Sequence, residues 1–157
     1  MQRKNETDRS GRSSSELKND IERYTEFIKL IELNKLVVEE VHFKRESWEL
    51  FKNINVNVSI KKTEILNEID SFIRTRIFYN IELVSEQKII MSFDISYLIF
   101  FISKEVEKAN KYLEDEKIKE IFLKRQLNKI AWSYLRNDFQ IALTKVGFES
   151  VPLPLLR

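Results

Sequence analysis

The stretch LNKIAWSYLRNDFQIALTKV, residues 127–146, decides what the fold must look like, because it is apolar at helical spacing on two sides. Leu127, Ile130, Ala131, Tyr134, Leu135 and Ala142 form one stripe, and Trp132, Leu135, Phe139, Leu143 and Val146 form a second. Lys129, Ser133, Arg136, Asn137, Gln140 and Thr144 are left a narrow third face. A surface helix of a monomer shows one stripe, whereas two stripes place a helix between layers. The spacing predicts this helix over about 117–146. If the rest of the chain supplies a single layer, the second is another copy, met through Trp132, Leu135, Phe139 and Leu143. Gly147 stands where a C-terminal cap glycine belongs, and Pro152 and Pro154 then hold the following residues extended.

Working back toward the N-terminus, the apolar period becomes two. Val37, Val41 and Phe43 alternate with Val38, Glu40 and His42, and Ile54, Val56, Val58 and Ile60 alternate with Asn55, Asn57 and Ser59. A third strand sets Ile73, Ile77, Tyr79, Ile81 and Leu83 against Arg74, Arg76, Asn80 and Glu82. A fourth sets Ile89, Met91, Phe93, Ile95, Tyr97, Ile99 and Phe101 against Ser92, Asp94 and Ser96. Polar links at residues 67–71 and 85–87 predict antiparallel neighbours and a meander-like order. Ahead of the strands, Leu17, Ile21, Tyr24, Ile28 and Ile31 predict a helix over 16–34, opened by a Ser13/Glu16 capping box. The expected fold is α+β: a four-stranded antiparallel sheet over 36–102 packed on a long C-terminal helix, with an extra N-terminal helix. Residues 1–15 read as a disordered tail and 16–157 as one domain, with a helical region over 104–146 and a Pro-Leu segment over 147–157.

Composition narrows the chemistry. At 157 residues, 43% hydrophobic and 33% charged, the chain reads as a soluble single domain. Lys plus Arg number 27 against 25 acids, which argues against a nucleic-acid partner. With Cys 0, His 1 and Gly 2, thiol catalysis, a structural zinc site and a glycine-rich phosphate loop are excluded, so no metal and no cofactor is expected. His42 beside Glu40 reads as a surface residue, and the pairs Glu39-Glu40 and Asp115-Glu116 do not share a face. No nucleophile, base and oxyanion donor can be assembled, and an enzyme is not expected. No apolar run follows Met1-Gln2-Arg3-Lys4, which with the absence of cysteine suggests a cytoplasmic protein. Lys61, Lys62, Arg74 and Arg76 read either as a basic stripe facing an acidic partner or as a solvated face.

The strand Leu36-Val37-Val38-Glu39-Glu40-Val41-His42-Phe43, the Trp48-containing link, three further strands, and Ile130-Ala131-Trp132-Ser133-Tyr134-Leu135-Arg136 leading into Gly147-Phe148 and Val151-Pro152-Leu153-Pro154-Leu155 resemble the SecB export-chaperone family over roughly 35–157. The resemblance implies an ATP-independent holdase, a homotetramer built as a dimer of dimers, that keeps preproteins unfolded for protein export. Similar chaperones serve toxin-antitoxin systems by guarding an antitoxin. It also implies docking to the SecA motor through acidic residues; Glu40 matches one of them, while Lys44 stands where another acid is expected and argues against such docking. The chain stops at Arg157 without the family's C-terminal helix and motor-binding tail, is slightly basic, and has an added front helix, which tilts the reading toward a specialised holdase.

Client-groove candidates are Phe43, Trp48, Phe51, Phe148, Val151, Leu153 and Leu155, the competing reading being that all seven are core. Near Ile95–Ile102 both faces of the fourth strand are apolar, too short a run to span a bilayer, which takes about 20 residues. Either the N-terminal helix covers the second face, or that face joins a subunit contact or client surface. Two other functions fit the same fold: a chaperone dedicated to one antitoxin, and a non-chaperone oligomeric adaptor or phage-defence subunit.

Overall fold

The period-two segments and the helical segments separate into two layers in the computed structural model, which describes residues 14–49, 51, 53–69, 72–149 and 151–153. In chain order these are α1 (Ser14–Leu30), β1 (Ile31–Arg45), β2 (Asn55–Ile69), β3 (Phe72–Ser85), β4 (Lys88–Ser103), α2 (Val106–Leu113), α3 (Glu116–Ile121), a π-helical segment (Phe122–Leu127) and α4 (Asn128–Lys145). The strands form one antiparallel sheet in the order β1-β4-β3-β2.

That order corrects the expected meander. Strands β2, β3 and β4 follow one another as hairpins, but β1 lies beside β4, so the connection at residues 46–54 carries the chain from one sheet edge to the other. This is a Greek-key arrangement, and a strand-to-strand link too long for a tight turn permits it. The predicted front helix also ends early. Residues 31–34 belong to β1 because β4 is long enough to pair with them, Ile31 lying opposite Ser103 and Leu33 opposite Phe101. Strand β2 runs on past Ile60 through Lys61 and Lys62, where a register shift absorbs one residue. The capping box at Ser13 and the tail before it lie outside the described residues.

Odd-numbered residues of β3 and β4, among them Ile73, Ile77, Ile81, Phe93, Ile95 and Ile99, are buried beneath the helices. Phe139 of α4 packs on Phe93, and Phe122 of the π segment packs on both Phe101 and Phe27 of α1, so the first and last helices lie on the same side of the sheet. Two buried phenols lock the layers together. Tyr79 donates to Asn128 Oδ1 and Tyr97 to Asp138 Oδ2, each at 2.7 Å. Burial pushes both phenols well above the usual tyrosine range, and for Tyr97 the neighbouring Asp138 carboxylate adds to it. Asp115 caps α3 by accepting from the backbone N–H groups of Lys117 and Ile118, and Arg23 of α1 reaches the same carboxylate at 2.6 Å.

Helix α4 ends as the glycine predicted. Gly147 has φ +72°, Phe148 N–H reaches Leu143 C=O and Gly147 N–H reaches Thr144 C=O, the two bonds of a Schellman motif. The predicted second stripe of this helix needs correction. Leu135, Phe139 and Leu143 are fully buried against the chain's own sheet, together with Ala131 and Ala142, and Trp132 packs on Tyr79. Leu135, Phe139 and Leu143 therefore cannot be offered to another copy, while Trp132, at the rim of this inward face, is half-buried. The apolar residues left open on α4 are Tyr134 and Ile141, 45% and 47% exposed.

Candidate polypeptide-binding site

The link from β1 to β2 and the segment after α4 meet at one end of the sheet, and Arg45 is what joins them. Its guanidinium donates to the carbonyls of Ser47 (2.7 Å), Val146 (2.8 Å) and Gly147 (3.2 Å). Its Cζ lies 4.3 Å from the ring centroids of both Trp48 and Phe148. The free carbonyls of a helix C-terminus attract a cation, and a planar guanidinium can satisfy them while stacking on aromatic faces. Trp48 is thereby tethered while remaining 77% exposed.

The groove candidates divide around this clamp. Trp48 and Phe148 flank Arg45. Phe51, Phe148 and Val151 are half-buried at the edge of the core, and Gln140 Nε2 donates to Val151 C=O at 2.7 Å, pinning the post-helix segment to α4. Leu153 is core, with 3% of its surface accessible, and so corrects its placement among the groove residues. Phe43 sits apart on β1, and Leu155 lies outside the described residues. Sequence reasoning missed Arg45, because its significance rests on carbonyls 101 and 102 residues away.

Strand β1 presents a second apolar surface. Register shifts between Leu33 and Lys35 and between Val38 and Glu40 break the simple alternation, so Leu33, Val38, Val41 and Phe43 all share the helix-side face. This strand forms the sheet edge; Ile31 and Leu36 on the same face pack on the core, but these four side chains are exposed. Asp138, one turn from both Tyr134 and Ile141, bonds Tyr97 on the neighbouring strand β4, which puts those two residues on the β1 flank of α4. The edge strand and the flank of the helix thus form one open apolar strip beside an unpaired row of backbone groups.

The opposite sheet face is polar at its centre. The Glu39 carboxylate accepts from Arg76 Nε and Nη2, both at 2.6 Å, while Arg76 Nη1 donates to Glu64 at 2.7 Å. Hydrogen bonds from Arg76 hold Glu39 below the usual carboxylate range, those from Lys62 and Arg76 do so for Glu64, and the two acids raise Arg76 in return. Glu40 is exposed on this face and bonded to His42 at 2.8 Å. Among the described residues no group of three or more His, Cys, Asp or Glu side chains could hold a metal ion, and no helix is long and apolar enough to cross a membrane.

An α+β chain whose helices cover one sheet face, with a long edge strand left open, defines the architectural class. Within it, the Mycobacterium tuberculosis SecB-like chaperone, solved in complex with a ChAD peptide from the HigA1 antitoxin, is similar over 88% of this chain and 99% of its own, with a TM-score of 0.68 at 10% identity. The chain therefore has the SecB-like chaperone fold. A Streptococcus agalactiae protein of unknown function (TM-score 0.40, 10% identity, 80% of this chain and 97% of that one) and a gentisyl-coenzyme A thioesterase (TM-score 0.27, 15% identity, 66% and 89%) are much looser likenesses. No protein-family model and no curated protein matches the sequence.

Proposed function

We propose that the chain is a SecB-like holdase that keeps client polypeptide unfolded, without nucleotide, by burying client apolar side chains against the end of the sheet organised by Arg45. The observation that carries this reading is Trp48, a large aromatic side chain 77% exposed and held outward by a cation that is itself fixed to two chain segments. An aromatic anchor ordered before the client arrives costs little entropy on binding. Phe148 and the half-buried Phe51 and Val151 extend the apolar floor, at about 25 cal/mol per Å² of surface covered. The antitoxin peptide bound by the Mycobacterium tuberculosis chaperone of the same fold supports a polypeptide client here.

The reading includes a homo-oligomer, with the contact moved from the interior of α4 to the β1 strip. Leu33, Val38, Val41, Phe43, Tyr134 and Ile141 supply apolar area, and the bare strand edge supplies main-chain donors and acceptors that a second copy can pair. It also sets the protein to work in the cytoplasm on chains not yet folded.

Aggregation of a chemically denatured client diluted into buffer, followed by light scattering, tests the function. Suppression at one chain per client without nucleotide, weakened by Trp48→Ser, is expected. No suppression by the unaltered protein overturns the reading.

A further inference from the structure

The apolar end of β4 remains unexplained by client holding. Leu98, Phe100 and Ile102 alternate with the core residues of that strand and lie on the sheet face opposite the helices. The front helix does not cover them, since α1 packs on the π segment on the other side. Phe72 and Val37, 37% and 38% exposed, adjoin them across the register on β3 and β1 and extend the patch.

Across this patch runs one lateral row. Lys35 lies opposite Phe100, Phe100 opposite Arg74, and Arg74 opposite Leu66. Lys35 Nζ sits 4.7 Å from the Phe100 ring centroid. Arg74 Nε is buried and has no hydrogen-bond partner. Among the described residues neither cation has a carboxylate partner, whereas Arg76, two residues further along the same strand face, has two. Arg74 is half-buried on this face with its guanidinium uncountered, so a carboxylate arriving from outside the sheet can pair with it without displacing an existing partner.

We propose that this row docks an amphipathic helix of another protein, with two carboxylates about seven residues apart and apolar side chains between them. Strands about 4.8 Å apart place Lys35 and Arg74 about 10 Å from each other on either side of Phe100. Seven residues of helix rise about 10.5 Å. The carboxylates meet the two cations while the intervening apolar side chains cover Phe100, Leu98 and Ile102.

Charge selects this occupant over the others. A second copy stacked on the row brings like charge to like charge. The chain's own first thirteen residues carry Arg3, Lys4, Arg9 and Arg12 against only Glu6 and Asp8. A nucleic acid, whose phosphates extend beyond two cations, meets on the rest of the face Glu39, Glu40, Glu64, Glu82 and Asp94 against Lys44, Lys62 and Arg76, and those three cations are already paired with carboxylates.

The test uses the full chain and a labelled 18-residue Ala/Leu-rich helical peptide with Glu at positions i and i+7, read by fluorescence anisotropy. The comparison probes are the same peptide with Lys at both positions and a 20-nucleotide RNA. The unaltered protein is expected to bind the Glu peptide at least about tenfold more tightly than the Lys peptide, with RNA unable to displace it. The double variant Lys35→Glu/Arg74→Glu is expected to reverse that preference while still suppressing client aggregation, which shows that it is folded and that the two surfaces are separate. Equal affinity for both peptides, a preference unchanged in the double variant, displacement by RNA, or loss of peptide preference and client holding together overturns the proposal.

Discussion

Arg45 occupies the position where a single side chain governs the most structure. It bonds three backbone carbonyls and stacks on two rings that belong to segments a hundred residues apart in sequence. Arg45→Ala leaves those carbonyls without a cation and frees Trp48, so a loss of about 2 kcal/mol in urea unfolding is expected, with weaker client holding. Arg45→Lys recovers little of either, because a point charge cannot both fork to the carbonyls and stack. An unchanged urea midpoint for both variants contradicts this account of the clamp.

At the same scale, Leu135 and Tyr134 are neighbours in sequence with opposite fates. Leu135 is fully buried and Tyr134 is 45% exposed. Leu135→Ala is expected to cost about 3 kcal/mol of stability, whereas Tyr134→Ala changes monomer stability by less than about 1 kcal/mol and weakens self-association. Chemical denaturation and sedimentation velocity check the pair.

At the scale of elements, the turn joining β3 and β4 shows what a sequence conceals. Glu86 and Gln87 have φ of 49° and 65°, a two-residue hairpin link in a conformation that Asn-Gly favours. Nothing in the Glu-Gln pair announces it, and the neighbouring strands impose it. Replacing Glu86→Asn with Gln87→Gly is therefore expected to stabilise the fold by about 1 kcal/mol, seen as a higher melting temperature. A lower one contradicts the turn assignment. The strands themselves were legible because alternation of period two is a local signal; the sheet order was not, because β1 chooses β4 through pairing across some sixty residues. The doubled stripe of α4 was half legible: its inward face is real, but Leu135, Phe139 and Leu143 meet the chain's own sheet. A sequence shows that a side chain is apolar, not which layer covers it. Trp48 and Phe148 were legible as apolar side chains in irregular connections, which are hard to bury; that both stack on Arg45 was not.

For the whole molecule, acid acts through the cluster on the open sheet face. Glu39 and Glu64 titrate below the ordinary glutamate value of 4.5. Their contribution to stability is thus complete above about pH 4.5 and is lost as pH falls through the lowered values. Glu39→Gln is expected to cost about 1 kcal/mol at pH 7 and less at pH 2.5, because protonation of the carboxyl dissolves the pair with Arg76 as the pH falls through the lowered value. A difference that stays constant between those pH values, measured by urea titration, contradicts the assignment.

The three proposed contacts fall on different parts of this fold: a client at the end held by Arg45, a second copy at the β1 edge, and a partner on the open sheet face. Isothermal titration of the chain with a reduced, alkylated and permanently unfolded polypeptide, in the absence of nucleotide, tests the client surface most directly. The account predicts binding with a negative heat-capacity change, weakened about tenfold or more by Trp48→Ser combined with Phe148→Ser. No heat of binding with the unaltered chain, or the same affinity in the double variant, would contradict it.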